Sequence, residues 1–457
     1  MTTLRPALLA LGLAAAVAPA EPALEAPQPA LGEKIDGLLA AIPGKDLPGV
    51  AVVVLRDGAV VHSRAYGLAS VELGVPNTTR TRFRLASVSK SFTALAVLQL
   101  VEQARLRLDD TLDRFVPDFV GGERITIHQL LTHTAGLPDF VSFDEAKKQP
   151  RDSPPGARLN YSNVGYVALG RVIEKVTGKS YESHLREAIL APLGMVDTGV
   201  DRRQALEKGR AAGYVIGPEG GFVNADYTDT SSDPAAGGLY STAEDMTRWI
   251  QALVAGRIVA PTTFDKATSP VTLPDGHRGG YGYGFMLAPF RGLREIAHGG
   301  DISGFNTYFA LYPDERLAVI ALSNVGMRPP GPVPVAGDLV HRIVELVIGD
   351  RLGPAWPAAV SLPAAVLDRY VGRYRLDVPP PVAEVMGESV EIVREGDRVF
   401  AAAKQGRVEL FAESETSFFS KEGPGVKVSF SPAAGGTARE AVLSLMGLRE
   451  FRLVRVP

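Results

Sequence analysis

Runs of β-branched residues recur near the start of the chain and again past residue 280. Between residues 49 and 68, two such runs flank Asp57-Gly58, a dipeptide typical of a two-residue hairpin turn. Further strands are predicted over 281–287 and over two runs between 308 and 322. The pattern therefore predicts strands at both ends of a long first region.

Helical periodicity dominates the sequence between these strands. An apolar pattern opens at Ser87, and another starts near Asn163 and ends at Gly178, a glycine typical of a helix end. We interpret the Ser-Thr-Ala-Glu sequence at 241–244 as a capping box that starts a third helix. A last helix of this region is predicted over 335–348.

The two ends of the chain differ from the middle in residue composition and in the elements they predict. A lone arginine, an apolar run over 7–17 and an Ala-Pro-Ala sequence predict an export signal over 1–20, followed by a lead-in over 21–32. The apolar run is shorter than the ~20 residues that a membrane span needs. We therefore expect an exported protein, periplasmic or secreted, without a membrane span; a disordered Ala/Pro-rich tail is the alternative. A Pro-rich linker is predicted over 351–362, and short strands and turns over 363–457 predict an appended all-β domain.

Composition narrows the possible chemistry. Hydrophobic residues make up 46% of the 457 positions, enough for a sizeable core, and the net charge of -3 without a basic stripe argues against a nucleic-acid partner. The chain has no cysteine, which excludes disulfides, thiolate metal ligands and cysteine nucleophiles. No His-Glu-x-x-His pattern occurs among the seven histidines, so we expect no metal and no cofactor.

One short motif carries nucleophilic chemistry. Ser87-Val88-Ser89-Lys90 is the only Ser-x-x-Lys sequence in the chain, and it opens an apolar helical pattern. Residues three apart on a helix share a face, which places the Ser87 hydroxyl beside the Lys90 amine. A buried lysine whose pKa falls from about 10.4 toward 7 to 8 can take the serine proton. The alternative is a capping serine followed by a lysine that extends to water.

Two further motifs follow along the chain. Tyr161 in Tyr-Ser-Asn offers a phenol that can relay a proton, and Asn163 offers an amide that can bind a substrate carbonyl. His298-Gly299-Gly300 precedes a strand-like segment, where the glycines would allow close approach of a ligand backbone. Helix capping and an ordinary loop, respectively, are the alternatives for these two motifs.

The order and spacing of the three motifs resemble the serine β-lactamase and penicillin-binding superfamily. The chain is most similar to the branch with class C β-lactamases, D-alanyl-D-alanine carboxypeptidases and D-aminopeptidases. The likeness runs from Leu31 to Ile348 and includes the segments LLTHTAGL at 130–137 and PAAGGLYSTAED at 234–245. It implies a β-lactamase-like α/β sandwich over 33–350, an antiparallel sheet flanked by helices with a helical subdomain, and a small β-barrel-like domain over 363–457.

The resemblance also assigns roles to residues. It implies that Ser87 is the acylated nucleophile, that Lys90 is its base and that Tyr161 passes the proton to the leaving group. Substrate would be bound by Asn163, His298, Gly299 and Gly300, and the backbone N–H groups of Ser87 and Asp301 would form the oxyanion hole. The expected substrate is a small molecule or peptide; the sequence leaves the oligomeric state open.

The third motif departs from the pattern of many relatives, which carry Lys-Thr-Gly where this chain has His298-Gly299-Gly300. The hydroxyl is missing, and an unperturbed histidine would change its charge near pH 6.5. We therefore expect a serine hydrolase for peptides, amides or esters with D-amino-acid character. A true β-lactamase and a non-catalytic penicillin-binding sensor or scaffold are the alternatives.

Overall fold

The computed structural model describes most of the chain. The described residues are 29–40, 46–139, 142–149, 151–274, 276, 278–326, 335–378, 383–384, 386–404, 406–422, 425–431, 436–445 and 448–456. The predicted export signal lies outside them. Within the described ranges, no helix combines the length and the apolar character that crossing a membrane would need.

Helices and strands alternate in an α/β arrangement. The helices are α1 (Pro29–Ala40), α2 (Ser89–Glu102), α3 (Ile127–Leu131), α4 (Phe143–Ala146), α5 (Asn163–Thr177), α6 (Tyr181–Leu185), α7 (Pro234–Gly237), α8 (Ala243–Val254), α9 (Pro261–Ala267), α10 (Ala336–Ile348) and α11 (Ala364–Leu367). The strands before the appended domain are β1 (Val50–Arg56), β2 (Ala59–Tyr66), β3 (Leu68–Ser70), β4 (Val75–Pro76), β5 (Phe83–Arg84), β6 (Gly199–Val200), β7 (Tyr214–Ile216), β8 (Phe222–Asn224), β9 (Leu239–Ser241), β10 (Ile296–Ile302), β11 (Phe305–Tyr312) and β12 (Leu317–Ser323).

The central sheet is antiparallel, in the order β10-β11-β12-β1-β2. The predicted hairpin between β1 and β2 is confirmed, and both Asp57 and Gly58 have the positive φ that its turn requires. Alternate residues of β1 enter different cores because side chains along a strand point to opposite faces. Val52 packs in the core that includes α1 and α10, whereas Val53 packs in the core that includes α2 and α8. The sheet is therefore covered by helices on both faces, as the α/β sandwich predicts.

The prediction of a strand over 281–287 is wrong. This segment makes only isolated bridges, from Tyr281 to Met286 and from Met286 to Ala297. Gly284 turns the chain at a φ of +79°, where a Cβ would lie 2.6 Å from the side chain of Ala94. The strand of this region is β10, so His298-Gly299-Gly300 lies within the edge strand of the sheet rather than in a loop before it.

The predicted long helix is confirmed as α5, which starts after the N-cap Ser162 and ends at Gly178 in the left-handed conformation. The capping box at 241–244 is shifted by one residue. Thr242 is the N-cap of α8, and its side chain accepts the N–H of Asp245. Ser241 instead belongs to β9, whose pairing with β5 and β6 holds it extended. Helix α1 begins at Pro29, inside the segment predicted as a lead-in.

The C-terminal strands close into a barrel, in agreement with the predicted β domain. Its strands are β13 (Gly372–Leu376), β14 (Ser389–Glu395), β15 (Arg398–Ala403), β16 (Gly406–Ala412), β17 (Ser417–Phe419), β18 (Val426–Ser431), β19 (Glu440–Leu445) and β20 (Arg449–Arg455). The barrel has its own core, in which the rings of Tyr370 and Phe430 stack at 4.4 Å. Leu362 already packs against this core, although it lies in the predicted linker.

The barrel also contacts the first domain directly. Arg449 at the start of β20 forms an isolated antiparallel bridge with Asn160, and the Tyr161 N–H donates to the Leu448 carbonyl at 3.3 Å. The Leu448 side chain packs in a small apolar cluster with Leu159 and Tyr281. Leu448 and Arg449 thus lie beside the segment that precedes α5.

Because the barrel and the sheet have separate cores, we expect their stabilities to respond separately to mutation. Phe430→Ala and Phe92→Ala each remove a buried phenylalanine, Phe92 being stacked on Trp249 in the sheet's core. Each change should cost about 3–5 kcal/mol in its own domain. Scanning calorimetry should show that the two variants lower different transitions. A single transition lowered equally by both would show that the two cores unfold as one unit.

Candidate active site

Ser87 lies in a turn of 3₁₀ helix over Ala86–Val88, immediately before α2. The turn is held from both sides, since Leu85 donates its N–H to Leu239 and its carbonyl accepts the Thr307 hydroxyl. Ala86 has a φ of +47°, an unusual conformation for a residue with a side chain. The strained backbone of Ala86 therefore accompanies a turn that places the partly exposed Ser87 at the start of a buried helix.

Lys90 lies one helical turn further on and is fully buried. Its Nζ is 3.0 Å from Ser87 Oγ, 2.8 Å from Asn163 Oδ1 and 2.7 Å from the Ala236 carbonyl oxygen. Burial is the main cause that lowers the pKa of Lys90 to about 7. At neutral pH a large share of this amine is therefore uncharged.

The partners of Lys90 determine where its lone pair points. A neutral amine has two hydrogens and one lone pair, while a carbonyl oxygen can only accept. The Ala236 carbonyl and Asn163 Oδ1 thus take the two hydrogens. The lone pair remains for the third neighbour, the Ser87 hydroxyl, which is the arrangement that a general base for this serine requires.

Tyr161 is placed on the other side of the serine. Its hydroxyl hydrogen-bonds with Ser87, and its ring centroid is 4.9 Å from Lys90 Nζ. Burial raises the pKa of Tyr161 well above its usual value. The hydrogen bond with Ser87 lowers this pKa, but by less than burial raises it. The side chain is therefore a neutral phenol that can donate and relay a proton, not a phenolate that acts as the base.

His133 is a residue of the site that was not predicted from the sequence, although the 130–137 segment that contains it was noted. His133 adopts a φ of +58°; its carbonyl accepts the Asn160 N–H and its Nδ1 accepts the Ser162 N–H. Its ring lies 4.2 Å from that of Tyr161, between centroids. His133 thus fixes the backbone on both sides of Tyr161. The available signal was the likeness of the segment LLTHTAGL at 130–137 to the resembled branch, which does not say what His133 contacts.

Asn163 begins α5, and its contacts with Asp139 and Lys90 determine the orientation of its side-chain amide. Asp139 Oδ1 accepts both the Asn163 backbone N–H and its side-chain Nδ2–H, each at 3.2 Å. Because a carboxylate only accepts, the amide nitrogen must face Asp139 and the amide oxygen must face Lys90. Arg449 of the barrel forms an ion pair with Asp139. Neither Asp139 nor Arg449 was expected from the sequence, because both act through contacts distant along the chain.

His298 is buried on β10, and its charge differs from the expectation. Burial, reinforced by the nearby Lys90, lowers the pKa of His298 to about 3, so the ring stays neutral where an unperturbed histidine would titrate. Nδ1 is 2.7 Å from the Gly299 carbonyl oxygen, which only accepts, so Nδ1 carries the hydrogen. Nε2 then accepts the Tyr281 hydroxyl at 2.8 Å. The third motif therefore supplies no histidine cation at physiological pH.

The glycines of the third motif allow β10 to approach the serine turn. A Cβ on Gly300 would lie 2.1 Å from the Leu85 carbonyl oxygen and 3.0 Å from the Ser87 backbone nitrogen. Any larger residue there would push β10 away from Ser87. Gly299 packs against the Tyr308 ring, and the exposed Asp301 follows on the same strand. The structure thus brings Ser87, Lys90, Tyr161 and Asn163 together, with the 298–301 segment alongside.

Metal ligands form a separate question. Within the described part of the chain, no three or more His, Asp or Glu side chains are grouped so as to hold a metal ion.

Several known proteins are similar to this chain. A sequence model described as Beta-lactamase matches residues 33–341. Penicillin-binding protein 4* of Bacillus subtilis (strain 168) is 30% identical over 401 residues, which cover 80% of this chain and 87% of that protein. The structure of D-amino acid amidase from Ochrobactrum anthropi SV3, complexed with L-phenylalanine amide, is 27% identical with a TM-score of 0.62, covering 70% of this chain and 99% of that one.

The likeness extends into the barrel. The octameric penicillin-binding protein homologue from Pyrococcus abyssi is 25% identical with a TM-score of 0.62, covering 93% of this chain and 99% of that one. The family model itself spans the central sheet and the helices that carry Ser87, Lys90 and Asn163. The chain therefore belongs to the beta-lactamase family and is a serine hydrolase of this family.

Proposed function

We propose that this hydrolase cleaves amides, esters or peptides with D-amino-acid character through an acyl-enzyme on Ser87. The observation that carries the proposal is the buried Lys90 amine, 3.0 Å from Ser87 Oγ, with its other two contacts made to oxygens that accept. Support for the D configuration comes from the amidase and penicillin-binding relatives. We also propose that the protein acts outside the cytoplasm, as its N-terminal sequence suggests.

The first step forms the acyl-enzyme. Neutral Lys90 accepts the Ser87 proton while Oγ attacks the substrate carbonyl carbon, and the carbonyl oxygen becomes an oxyanion. The backbone N–H groups of Ser87 and Asp301 would stabilise this oxyanion, since Gly300 allows β10 to approach the serine turn. An amide hydrogen of Asn163 not engaged by Asp139 is suited to the substrate carbonyl next to the scissile bond.

The second half of the reaction releases two products. The leaving amine or alcohol takes a proton from Tyr161, which recovers it from protonated Lys90, and the C–N or C–O bond breaks. Water then attacks the Ser87 ester, giving its proton to the same pair, and the acid is released with Ser87 restored. The raised pKa of Tyr161 suits this part, because its phenol stays protonated until a stronger base takes the proton.

The neutral His298 ring favours the proposed function over that of a β-lactamase. The resemblance places a lysine and a threonine hydroxyl at this motif in many relatives, where they help to hold the carboxylate of a β-lactam. Here the ring is uncharged and Gly299 has no hydroxyl. A substrate whose binding depends on a fixed cation at this position loses about 1–3 kcal/mol of charge-assisted hydrogen bonding.

The substrate class is tested with matched enantiomers. We expect D-alanine and D-phenylalanine p-nitroanilides to be hydrolysed with a kcat/KM at least ~10-fold above that of their L forms. Nitrocefin should acylate the enzyme slowly. Faster turnover of nitrocefin than of any amide or ester would make the protein a β-lactamase. Equal rates for the two enantiomers would remove the D specificity and leave the hydrolase.

Replacing the nucleophile tests the acyl-enzyme. Ser87→Ala should lower turnover about 10⁴- to 10⁶-fold and abolish labelling by a fluorophosphonate, as read by intact mass. Ser91→Ala is the matched control, because Ser91 lies on α2 but donates to the Val88 carbonyl instead of facing Lys90. Its labelling should match that of the unaltered protein. A mass shift that persists in Ser87→Ala would place the nucleophile elsewhere.

The pH dependence tests the base. Because burial lowers the pKa of Lys90 to about 7, the acylation rate should rise about tenfold per pH unit below 7 and level off above it. Lys90→Arg keeps the positive charge but cannot deprotonate in this range, so it should lose about 10²- to 10⁴-fold at every pH. Stopped-flow acylation between pH 5 and 10 measures both. A rise of the acylation rate centred near pH 10 would mean that Lys90 is an ordinary lysine and not the neutral base.

A further inference from the structure

A chain of contacts leads from the barrel to the proposed base. Arg449, at the start of β20, forms an ion pair with the buried carboxylate of Asp139. Asp139 accepts two N–H groups of Asn163, whose amide oxygen in turn accepts from Lys90 Nζ at 2.8 Å. Asp139 and Arg449 are 310 positions apart in the sequence, so the contact depends on both domains being in place.

The role of Asp139 is to exclude the wrong orientation of an amide. Asn163 could turn its NH₂ group toward Lys90, which would leave the Lys90 lone pair pointing at an amide hydrogen and not at Ser87. The Asp139 carboxylate opposes that rotation, because it accepts only from the nitrogen side. Asp139 itself needs a partner, since a buried carboxylate without a cation is costly to keep ionised.

Leu448, the residue before Arg449, makes a second contact with the first domain. The Leu448 carbonyl accepts the Tyr161 N–H, and the Leu448 side chain packs with Leu159 and Tyr281. The position of Arg449 is therefore fixed by its own backbone and by its neighbour. Asp139 and Arg449 are both largely shielded from solvent, so this is not an exposed surface ion pair of the kind that contributes little.

From this arrangement we infer that Arg449 is a positioning residue, through which the barrel holds Asp139 and thereby keeps Asn163 and Lys90 in the geometry that activates Ser87. The inference rests on the proposed function. It makes the barrel part of the hydrolytic site through one named side chain, which does not itself touch the reacting atoms.

The electrostatic effect of this ion pair gives the inference a distinctive signature. Asp139 raises the pKa of Lys90 and Arg449 lowers it, both less than burial does. The other titratable groups that face Lys90 are neutral at pH 7: Tyr161, Tyr166, His133 and His298. The acylation rate rises with pH as Lys90 loses its proton, and we call this rise the acylation limb. Removing one member of the ion pair should therefore move the limb to higher or lower pH, depending on which charge is lost.

The experiment compares full-length variants by stopped-flow acylation of Ser87 between pH 5 and 10. The variants are Arg449→Gln, Asp139→Asn and the double variant. Arg452→Gln is the matched control, because Arg452 lies on the same strand and forms an exposed ion pair with Glu440. Its acylation rate and limb should equal those of the unaltered protein. Arg449→Lys keeps the charge without the planar pair of donors.

We expect Arg449→Gln to lower the plateau rate about 10- to 100-fold, as small displacements of a reacting group do. Its limb should move up by at least ~0.5 pH unit, because a cation near Lys90 is lost. Asp139→Asn should also lower the plateau, but its limb should move down. In the double variant the limb should return toward its original position while the plateau stays low. Arg449→Lys should keep the limb and recover part of the rate.

Two outcomes overturn the inference. One is an Arg449→Gln protein that acylates with the original plateau and limb; the other is a rate loss in which neither single variant moves the limb. Should Arg449→Gln fail to fold, the opposite test remains: Asp139→Asn without a downward limb shift contradicts the inference. If the unaltered protein is not acylated at Ser87 at all, the proposed function fails instead, which is a different result from any of these.

Discussion

The structure of this site depends on a lysine amine that is removed from water. Transferring an ammonium group into a protein interior costs several kcal/mol unless partners compensate, so a buried lysine tends to lose its proton. The neutral Lys90 amine donates its two hydrogens to two oxygens that only accept, so its lone pair faces Ser87. Burial thus supplies the base, and the hydrogen bonds supply its direction.

Local sequence patterns predicted the parts of the site that are formed by neighbouring residues. Ser87 and Lys90 share a helical face because they are three residues apart, and Asn163 begins a helix whose cap and end are visible in the sequence. Asp139, His133 and Arg449 could not be found in this way. Each acts on a residue at least 24 positions away through a hydrogen bond or ion pair, and a single sequence carries no signal of such contacts.

The errors have a common physical origin in tertiary packing. The 281–287 segment has the composition of a strand, yet Gly284 and the close approach to α2 turn it out of the sheet. The charge of His298 was expected from the unperturbed pKa of a histidine, whereas burial on β10 keeps the ring neutral. In both cases the expectation followed the usual behaviour of the residue types, whereas packing around them determined the observed conformation or charge.

Neutral His298 and the paired Arg449 belong to one electrostatic arrangement. A cation fixed at position 298 would lie beside Lys90 and depress its pKa below the value that burial sets, making the amine a weaker base. The cation that the barrel brings to the site is instead bound to Asp139, so its effect on Lys90 is opposed by a carboxylate. The base strength of Lys90 is therefore governed mainly by its burial.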